Sequence, residues 1–365
     1  MRLQSLLLEQ FRCYSTQQLD FSDGGLDLFI GPNGSGKTNI LESVSILSTG
    51  KSCIQSETEP IIQWGKEYYR VKGQTVSDTS EPSMVEVFAS IKPRKQKAFF
   101  INDVRTPIMR FIGSVPSIVF LPSHLQLFVG GPAGRRDFLD DVLSQLSPDF
   151  LRLQSEYQRV LKQRNSLLRL IADNQAKERD LDPWDSQIAQ LGSLLQKQRI
   201  GIIESLNASL GPTLIFLGEK WGSVDIRYDT KHVDGKTGEA ALLALLQHYR
   251  QRDIILKSTT VGPHRDDWHL YADNRDIALF ASRGQQRASL LSLLFVSLSL
   301  FEAYRHEKPI ILLDDVFSEL DDAHQRHLLS AVEGYHVLLT GTHLPSEVPA
   351  RATVWEVENG RIDKK

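Results

Sequence analysis

The feature that most constrains the fold is a glycine-rich stretch at residues 31–38, which stands between a strand pattern and a helix pattern. Its sequence, GPNGSGKT, fits the spacing G-x-x-x-x-G-K-[ST] without a gap. The preceding GLDLFI indicates a strand, and Ile40, Leu41, Val44 and Leu47 recur at the spacing of one helix face. A strand that runs through such a loop into a helix is typical of α/β folds.

This loop predicts a site for a triphosphate. Glycines let the backbone wrap closely around phosphate oxygens, and the first turn of the following helix favours anions. Lys37 would reach the β- and γ-phosphates as a mobile charge, and Thr38 would offer a hydroxyl to Mg²⁺. We therefore predict ATP and Mg²⁺ as cofactors, held by Gly31, Pro32, Asn33, Gly34, Ser35, Gly36, Lys37, Thr38 and Asn39.

A second acidic motif follows a strand pattern near the other end of the chain. The sequence PIILLDDVFSELD places a buried strand over 310–313, directly before Asp314 and Asp315. Asp314 is predicted to hold Mg²⁺ through water, and Asp315 to polarise the attacking water. Alternatively, this pair of residues would be only a helix N-cap after a core strand, because aspartate caps helices well. The glycine-rich loop favours the metal site.

A third motif, SRGQQR, precedes a long apolar helix pattern. Ser282, Gly284 and Gln285 would stand at the start of that helix, where backbone N–H groups favour anions. Because the chain already has one phosphate site, a second anion site far along the sequence is best explained if it faces the nucleotide of another subunit. Two copies related by a two-fold axis would then enclose two nucleotides, so we predict an ATP-dependent homodimer.

The order of the patterns predicts an α/β domain interrupted by a helical insertion. Strand patterns dominate the first third, helix patterns fill about 134–208, and strand–helix alternation returns near the end. We place the first half of the α/β domain at 1–130, a mostly helical lobe at 131–255 and the second half at 256–365. The densest apolar run, 288–301, is expected to be a buried helix rather than a membrane span, and no signal peptide is expected, which indicates the cytoplasm.

Composition argues for an ordinary globular protein and offers no global sign of a polyanionic partner. The chain is 41% apolar and its formal net charge is −3, so any contact with DNA must come from local clusters. Two cysteines without a C-x-x-C spacing predict no zinc site. Two basic clusters supply the candidate DNA contacts, which are Lys92, Arg94, Lys95 and Lys97 in one cluster, and Arg135, Arg136, Arg152, Arg159, Lys162 and Arg164 in the other. The alternative for both clusters is a charged face that is only solvated.

Taken together, these motifs resemble those of ABC-type ATPases. The S-x-G-Q stretch, the LLDD strand end and the SELD that follows look like the signature, Walker B and D-loop motifs of that class. Within it, the chain is similar over nearly its whole length to the RecF family of the SMC/Rad50-like branch. The stretches that carry this resemblance are LEQFRCYSTQQLDF, GPNGSGKTNILESV, FLPSHLQLFVGGPAGRRDFLD, YQRVLKQRNSLL, GPHRDD and LLDDVFSELD.

The resemblance implies an ABC-type P-loop ATPase head with an inserted, mostly helical lobe. It also implies ATP-dependent dimerisation on duplex DNA or gap junctions, work with RecO and RecR, recombinase loading at single-strand gaps, and weak DNA-dependent ATP hydrolysis. Asp315 replaces the glutamate of typical ABC ATPases, and its shorter side chain suggests slow hydrolysis. Further family roles fall on Arg12 at a phosphate, Ser318 and Asp321 in the D-loop, and Thr342 with His343 in a switch segment.

Two other functions share parts of this pattern. The ATPase subunit of an ABC transporter would have the same nucleotide motifs, but the arginine-rich RRDFLDD helix and Asp315 fit a membrane partner poorly. A long-coil chromosome-tethering protein would need many more heptads than the helix patterns provide, and a cysteine hook.

Overall fold

The structure is a computed structural model of the chain. It describes residues 1–22, 25–54, 57–231, 238–320, 322–345 and 348–365. By its internal contacts the chain divides into two compact units. The first contains Met1–Leu125, Pro212–Lys220 and Arg283–Lys365, and the second contains Gln126–Gly211 and Trp221–Ser282.

The strands, in chain order, are β1 (Arg2–Phe11), β2 (Tyr14–Asp20), β3 (Leu26–Ile30), β4 (Tyr68–Val76), β5 (Pro82–Ser90), β6 (Gln96–Ile101), β7 (Val104–Thr106), β8 (Ser117–Phe120), β9 (Val224–Asp229), β10 (Asp267–Ala272), β11 (Arg275–Asp276), β12 (Ile310–Leu313), β13 (Val337–Gly341), β14 (Ala352–Glu358) and β15 (Arg361–Lys364).

The α-helices are α1 (Lys37–Thr49), α2 (Ile108–Phe111), α3 (Gln126–Val129), α4 (Pro132–Leu146), α5 (Pro148–Ala172), α6 (Asp182–Phe216), α7 (Glu239–His248), α8 (Arg250–Leu256), α9 (Ile277–Phe280), α10 (Arg283–Arg305) and α11 (Asp322–Ala331). Short 3₁₀ turns occur at Glu59–Ile61, Pro122–Leu125, Glu178–Leu181 and Val316–Glu319.

The first unit holds a sheet of order β15-β14-β3-β13-β12-β8, in which every pair except β14–β15 is parallel. All residues of β12 and β13 are buried, as expected of parallel strands covered on both faces. Because parallel strands end at the same edge, β3, β8, β12 and β13 bring their carboxyl ends together. Ligand sites of open α/β sheets form at that edge.

A second sheet of the first unit is antiparallel, with the order β2-β1-β4-β5-β6-β7. Its strands alternate buried and half-exposed residues, most regularly in β4. Helix α1 contacts strands of both sheets, and its Ile40, Leu41, Val44 and Leu47 are fully buried. The predicted amphipathic helix after the glycine-rich loop is therefore confirmed, although residues of its other face are buried as well.

Helix α10 contains the densest apolar run of the sequence. By length and composition it could span a bilayer, yet most of its residues are buried inside the protein. It contacts β8 and the Pro122–Leu125 turn of the same unit. This burial confirms the prediction of a buried core helix. The helix passes the compositional test for a membrane span because a core helix can be equally long and apolar.

The second unit is mostly helical but also contains the antiparallel sheet β11-β10-β9. Helix α4 contacts β10, and α5 contacts both α4 and α8. The second unit begins at Gln126 and ends at Ser282, so its limits differ from the expected boundaries at 130 and 255. Strand β9 pairs with β10 across a separation of about forty residues, and this non-local pairing has no local signal in the sequence.

Buried ion pairs hold the helices of the second unit together. Arg164 is fully buried and donates to Asp185 at 2.6 Å and to Asp253 at 2.7 Å, and both carboxylates are themselves fully buried. Arg199 similarly binds Asp140 with two hydrogen bonds of 2.8 Å. Buried charges of this kind are tolerated only when they are paired.

Replacing Arg164 by Met should therefore leave two buried carboxylates without their shared cation. We expect the free energy of unfolding to fall by about 3–5 kcal/mol, measured by urea denaturation. Arg152→Met is the matched control on the same helix, because its ion pair with Asp149 is exposed on both sides and should contribute less than about 1 kcal/mol. Equal stability of the two variants would contradict the structural role of Arg164.

Candidate nucleotide site

The glycine-rich loop joins the end of β3 to the start of α1, as its spacing predicts. A Cβ at Gly31 would lie 2.1 Å from the carbonyl oxygen of Val357 in β14, so the backbones approach too closely for a side chain. Gly36 has φ +110°, and a Cβ there would meet the Sγ of Cys13 at 2.6 Å. The hydroxyl of Tyr14 donates to the Gly36 carbonyl at 3.0 Å. The loop is thus shaped by close neighbours as well as by glycine's freedom.

A cavity of about 290 Å³ lies against this loop. Its lining combines the loop with the first turn of α1, the segment after β8, and the ends of β12 and β13. The lining residues are Asn33, Gly34, Gly36, Lys37, Thr38, Asn39, Pro122, Asp314, Asp315 and Thr340. The structure therefore brings together the glycine-rich loop and the acidic pair, which are nearly 280 residues apart in sequence.

Asp314 joins three of these segments through one carboxylate oxygen. Its Oδ1 accepts hydrogen bonds from the hydroxyls of Thr38 at 2.8 Å and Thr340 at 2.6 Å. Its backbone N–H donates to the carbonyl of Phe120 at 2.9 Å. Thr38 and Asp314 are the two residues predicted to hold Mg²⁺, and their direct contact fits that assignment because hydroxyl and carboxylate oxygens suit this ion.

Lys37 is buried beside the loop and donates to the carbonyls of Gly31 and Pro32, at 2.8 Å each. Burial lowers the pKa of Lys37, while the carboxylates of Asp315 and Asp314 oppose that shift. An ammonium group held only by neutral carbonyls gains from an anion in the adjacent cavity, because the anion favours the charged form.

Asp315 lies two residues after the end of β12 and has a left-handed backbone, with φ +46°. Its Oδ2 accepts from the hydroxyl of Ser318 at 2.9 Å, while its buried Oδ1 has no hydrogen-bond partner among the residues described. The buried hydroxyl of Ser35 is likewise unpaired within that part of the chain. Two unsatisfied buried polar atoms are costly, so both fit a site completed by a ligand or water.

Arg12 is not among the residues that line the cavity. Its Nε and Nη2 donate to the two carboxylate oxygens of Glu42, at 2.8 and 2.6 Å, and its Nη1 donates to the Pro60 carbonyl. Glu42 belongs to α1 and is fully buried. A phosphate contact by Arg12 stays a prediction, and it would require this network to be broken or shared.

The remaining predicted nucleotide contacts lie outside the cavity lining. Ser282 and Gly284 are exposed at the start of α10, and Gln285 is half-buried one residue further. His343 is exposed after β13. Asp321, assigned to the D-loop, lies outside the described residues. Roles for these residues stay predictions.

The structure shows which of the candidate DNA contacts bind other residues of the protein and which are exposed without an ion pair to any described residue. Arg135 is buried and binds both carboxylate oxygens of Asp267, at 2.6 and 2.7 Å, and Arg164 is fully buried. Neither side chain is accessible to a phosphate. A local sequence pattern could not reveal their partners, because Asp267 lies 132 residues from Arg135, and Asp185 and Asp253 lie 21 and 89 residues from Arg164.

Other members of the two clusters are engaged at the surface. Arg136 donates to the carbonyl of Asp266, Arg152 pairs with Asp149, and Lys92 pairs with Glu67. The exposed candidates for which no ion pair is found among the described residues are Arg94, Lys95, Arg159 and Lys162. Lys97 is half-buried, and burial lowers its pKa to about 8.

Sequence reasoning missed three residues that shape the site. Thr340 is the last but one residue of β13, and the local pattern draws attention to Thr342 and His343 after the strand instead, because the role of Thr340 depends on Asp314 at the end of the neighbouring β12. Glu42 carries no local sign that its carboxylate binds Arg12. Pro122 lines the cavity only because β8 is the neighbour of β12 in the sheet.

Comparison with known proteins agrees with this geometry. The family model for the RecF/RecN/SMC N-terminal domain matches residues 2–337. The DNA replication and repair protein RecF of Heliobacterium modesticaldum is 34% identical over 100% of this chain and 99% of its own length. The protein of the same name from Moorella thermoacetica is 34% identical, over 98% of this chain and 95% of its own length.

Solved structures give the same result for the fold. A structure of the recombination mediator protein RecF with ATP, of the RecFOR pathway, has a TM-score of 0.92 at 27% identity, and the match covers 100% of this chain and 97% of that one. An Smc head bound to the C-terminal winged-helix domain of ScpA shares the fold at TM-score 0.57 and 13% identity, over 100% of this chain and 97% of that one. The chain therefore belongs to the RecF family of DNA replication and repair proteins, within the wider RecF/RecN/SMC group, and has the ABC-type ATPase head fold.

Proposed function

We propose that this protein is an ATP-controlled DNA-binding switch of recombinational repair and replication restart. ATP binding closes a homodimer on DNA, and slow hydrolysis opens it again. The observation that carries the proposal is the shared hydrogen bonding of Asp314 with Thr38 and Thr340, all three of which line the cavity of about 290 Å³ beside the glycine-rich loop. The ATP-bound RecF structure, similar over its whole length, supports ATP as the ligand.

Within this cavity the residues have distinct tasks. Lys37 exchanges the carbonyls of Gly31 and Pro32 for the β- and γ-phosphates, and the loop N–H groups hold the remaining oxygens. Thr38 and Asp314 would hold Mg²⁺, which neutralises charge on the phosphates when bound. The unpaired hydroxyl of Ser35 offers one more donor at the loop. These groups bind and orient ATP before any chemistry.

Hydrolysis is assigned to Asp315. Its unpaired Oδ1 can accept a hydrogen bond from a water molecule, while Ser318 fixes the other oxygen. The water oxygen attacks the γ-phosphorus, the bond to the β–γ bridging oxygen breaks, and ADP and phosphate leave. A shorter side chain than glutamate has less reach to that water, so turnover is expected to be slow.

The dimer completes the site in this proposal. Ser282, Gly284 and Gln285 at the start of α10 cap the γ-phosphate of the partner copy, and Ser318 with Asp321 lies at the interface. A switch requires that ATP bind the closed dimer more tightly than the open monomer, and contacts made only across the interface provide that difference.

DNA is the proposed partner because the relatives described above are DNA replication and repair proteins. In addition, both basic clusters contain exposed cations for which no ion pair is found within the described ranges of the chain. RecO and RecR are further proposed partners, since the similar ATP-bound structure belongs to the RecFOR pathway. DNA-dependent hydrolysis, recombinase loading at gaps and a cytoplasmic location complete the proposal. The relatives described above are DNA replication and repair proteins, which favours this role over that of a transporter ATPase subunit.

The first test combines nucleotide, oligomer and DNA. In the wild type, ATP but not ADP should produce dimers in sedimentation equilibrium and strengthen DNA binding, with an affinity that falls steeply as salt rises. Lys37→Met should lose ATP binding, dimerisation and the ATP effect on DNA together, because it removes the phosphate-binding charge. Lys51→Met, an exposed lysine just after α1, is the control. A Lys37→Met protein that still dimerises with ATP would contradict the switch.

Ser282→Arg separates binding from closure. Ser282 is exposed, so the larger side chain can be accommodated in the monomer, and ATP affinity of the monomer should change by less than about threefold. Dimerisation with ATP should be lost, because the arginine would occupy the space of the partner's nucleotide. Ser299→Arg, exposed further along α10, should dimerise normally. ATP-driven dimers of the Ser282 variant in sedimentation equilibrium would rule out the trans contact.

Asp315→Asn removes the acceptor charge while keeping the shape of the side chain. ATP binding and dimerisation should persist, and turnover in a phosphate-release assay should fall about 100-fold or more. Dimers should then outlast those of the wild type. Asp315→Glu, which restores the charge with a longer reach, is expected to hydrolyse at least as fast as the wild type. Normal turnover of the Asn variant would show that another group activates the water.

A further inference from the structure

Trp64 is an outlier among the five tryptophans of the chain, all of which the structure describes. Its side chain is 99% exposed, whereas Trp268 and Trp355 are buried and Trp184 and Trp221 are half-buried. Trp64 makes no hydrogen bond, ring contact or cation contact with any described residue. A single exposed leucine would need no explanation, but a large aromatic ring held wholly in water is typical of a contact site.

The backbone presents this ring on a fixed turn. The N–H of Lys66 donates to the carbonyl of Gln63 at 3.0 Å, and Gly65 has φ +76°. This combination is that of a type II β-turn with Trp64 at the second position. At that position the side chain points away from the two residues that close the turn, so its exposure follows from the turn itself.

Hydrogen bonds on both sides hold the turn in place. The N–H of Gln63 donates to the carbonyl of Gln10 at the end of β1, at 2.8 Å, and the N–H of Ile91 donates to the carbonyl of Glu67 at 2.9 Å. Ile91 begins the hairpin that connects β5 to β6. Trp64 is therefore preorganised beside that hairpin, and a ligand would not need to order a loose loop.

The same hairpin, whose Ile91 and Lys92 contact Glu67 at the end of the turn segment, carries positive charge. Arg94 and Lys95 are exposed on it, Lys66 is exposed on the turn, and for none of the three is an ion pair found among the described residues. Lys92 is largely neutralised by Glu67, 3.1 Å away. Trp64, Lys66, Arg94 and Lys95 together are called the turn surface below. It joins an aromatic ring to basic residues that are separated in sequence.

We propose that the turn surface binds DNA at an unpaired base, with the indole of Trp64 stacked on the base and Lys66, Arg94 and Lys95 at the neighbouring phosphates. The inference rests on the proposed DNA-binding function and names the DNA feature that the surface recognises. Bases inside a duplex are already stacked on both faces, and a base at a blunt end is held in its pair, so the surface is assigned to an unpaired base of a single-stranded segment. The cations bind phosphates of any DNA, whereas Trp64 supplies the preference.

A protein partner could also bury an exposed tryptophan. Three unneutralised cations within the same surface favour a polyanion instead, since an apolar protein pocket would have to desolvate them. Base stacking is tolerant of sequence, because every base has a π face, so no sequence preference is expected.

The test compares two DNAs that share one duplex, of which one is blunt and the other has a single-stranded thymidine tail. With ATP present, Trp64→Ala should weaken binding to the tailed DNA about 5- to 100-fold and change binding to the blunt DNA less than about twofold. Trp64→Phe should keep most of the preference, because it retains a stacking ring. Val104→Ala, an exposed apolar residue at the opposite end of β6, is the control and should bind both DNAs as the wild type does.

Two further readouts separate stacking from charge. Intrinsic fluorescence of the wild type should be quenched by the tailed DNA and much less by the blunt DNA, and Trp64→Phe should lack that change. The double variant Arg94→Gln, Lys95→Gln should bind both DNAs more weakly, and the slope of log affinity against log salt should become shallower by about 2.

Each outcome decides between the possibilities. If Trp64→Ala binds both DNAs as the wild type does, or loses both equally, the stacking proposal is wrong and Trp64 serves another contact or the fold. A wild-type protein that binds neither DNA with ATP would contradict the proposed function and this inference with it.

Discussion

The site depends on one carboxylate, that of Asp314, which joins segments from distant parts of the chain. Its Oδ1 accepts from Thr38 at the start of α1 and from Thr340 near the end of β13, and its N–H binds Phe120 at the end of β8. These contacts are possible only because the parallel strands end at one edge of the sheet, with the glycine-rich loop following β3 at that edge. If β12 were displaced along its neighbours by one residue, so that Asp315 met Thr38, Asp314 would take the place of Leu313 in the strand, and Val316 rather than an acid would take the place of Asp315.

At the same edge of the sheet, several polar groups have hydrogen-bonding capacity that a bound phosphate would satisfy. Lys37 is buried and bonds only neutral carbonyls of its own loop, and burial lowers its pKa. The hydroxyl of Ser35 and one oxygen of Asp315 are buried without partners in the described part of the chain. A polyphosphate with its bound water would satisfy these donors and acceptors at once, so part of the binding free energy comes from groups that folding leaves unsatisfied.

Much of this arrangement is predictable from sequence, and the limits have a physical cause. The loop, α1, β12 and Asp314 follow from local patterns, because a motif and its flanking periodicity lie within one short window. Thr340, Glu42 and the buried pair of Arg135 with Asp267 do not, since each role is set by a partner far along the chain. This limit is most severe for clusters of charged residues. Lys162 and Arg164 are two residues apart in the same basic stretch, yet Arg164 is fully buried between two aspartates and Lys162 is exposed. The turn surface is likewise not predictable from a local pattern, because Trp64 and its basic neighbours do not form one continuous stretch of sequence.

Ser318 links the chemistry to the proposed interface. Its hydroxyl donates to both the carbonyl oxygen and Oδ2 of Asp315, at 2.8 and 2.9 Å, and it lies in the segment assigned to the D-loop. The left-handed backbone of Asp315 makes that segment turn shortly after β12, and the hydrogen bond from Ser318 ties the carboxylate to the loop. Under the proposed function, a partner copy that draws on the hydroxyl of Ser318 would release the second oxygen of Asp315. Dimer closure and water activation would then be coupled by a single hydrogen bond, without any larger rearrangement of the sheet.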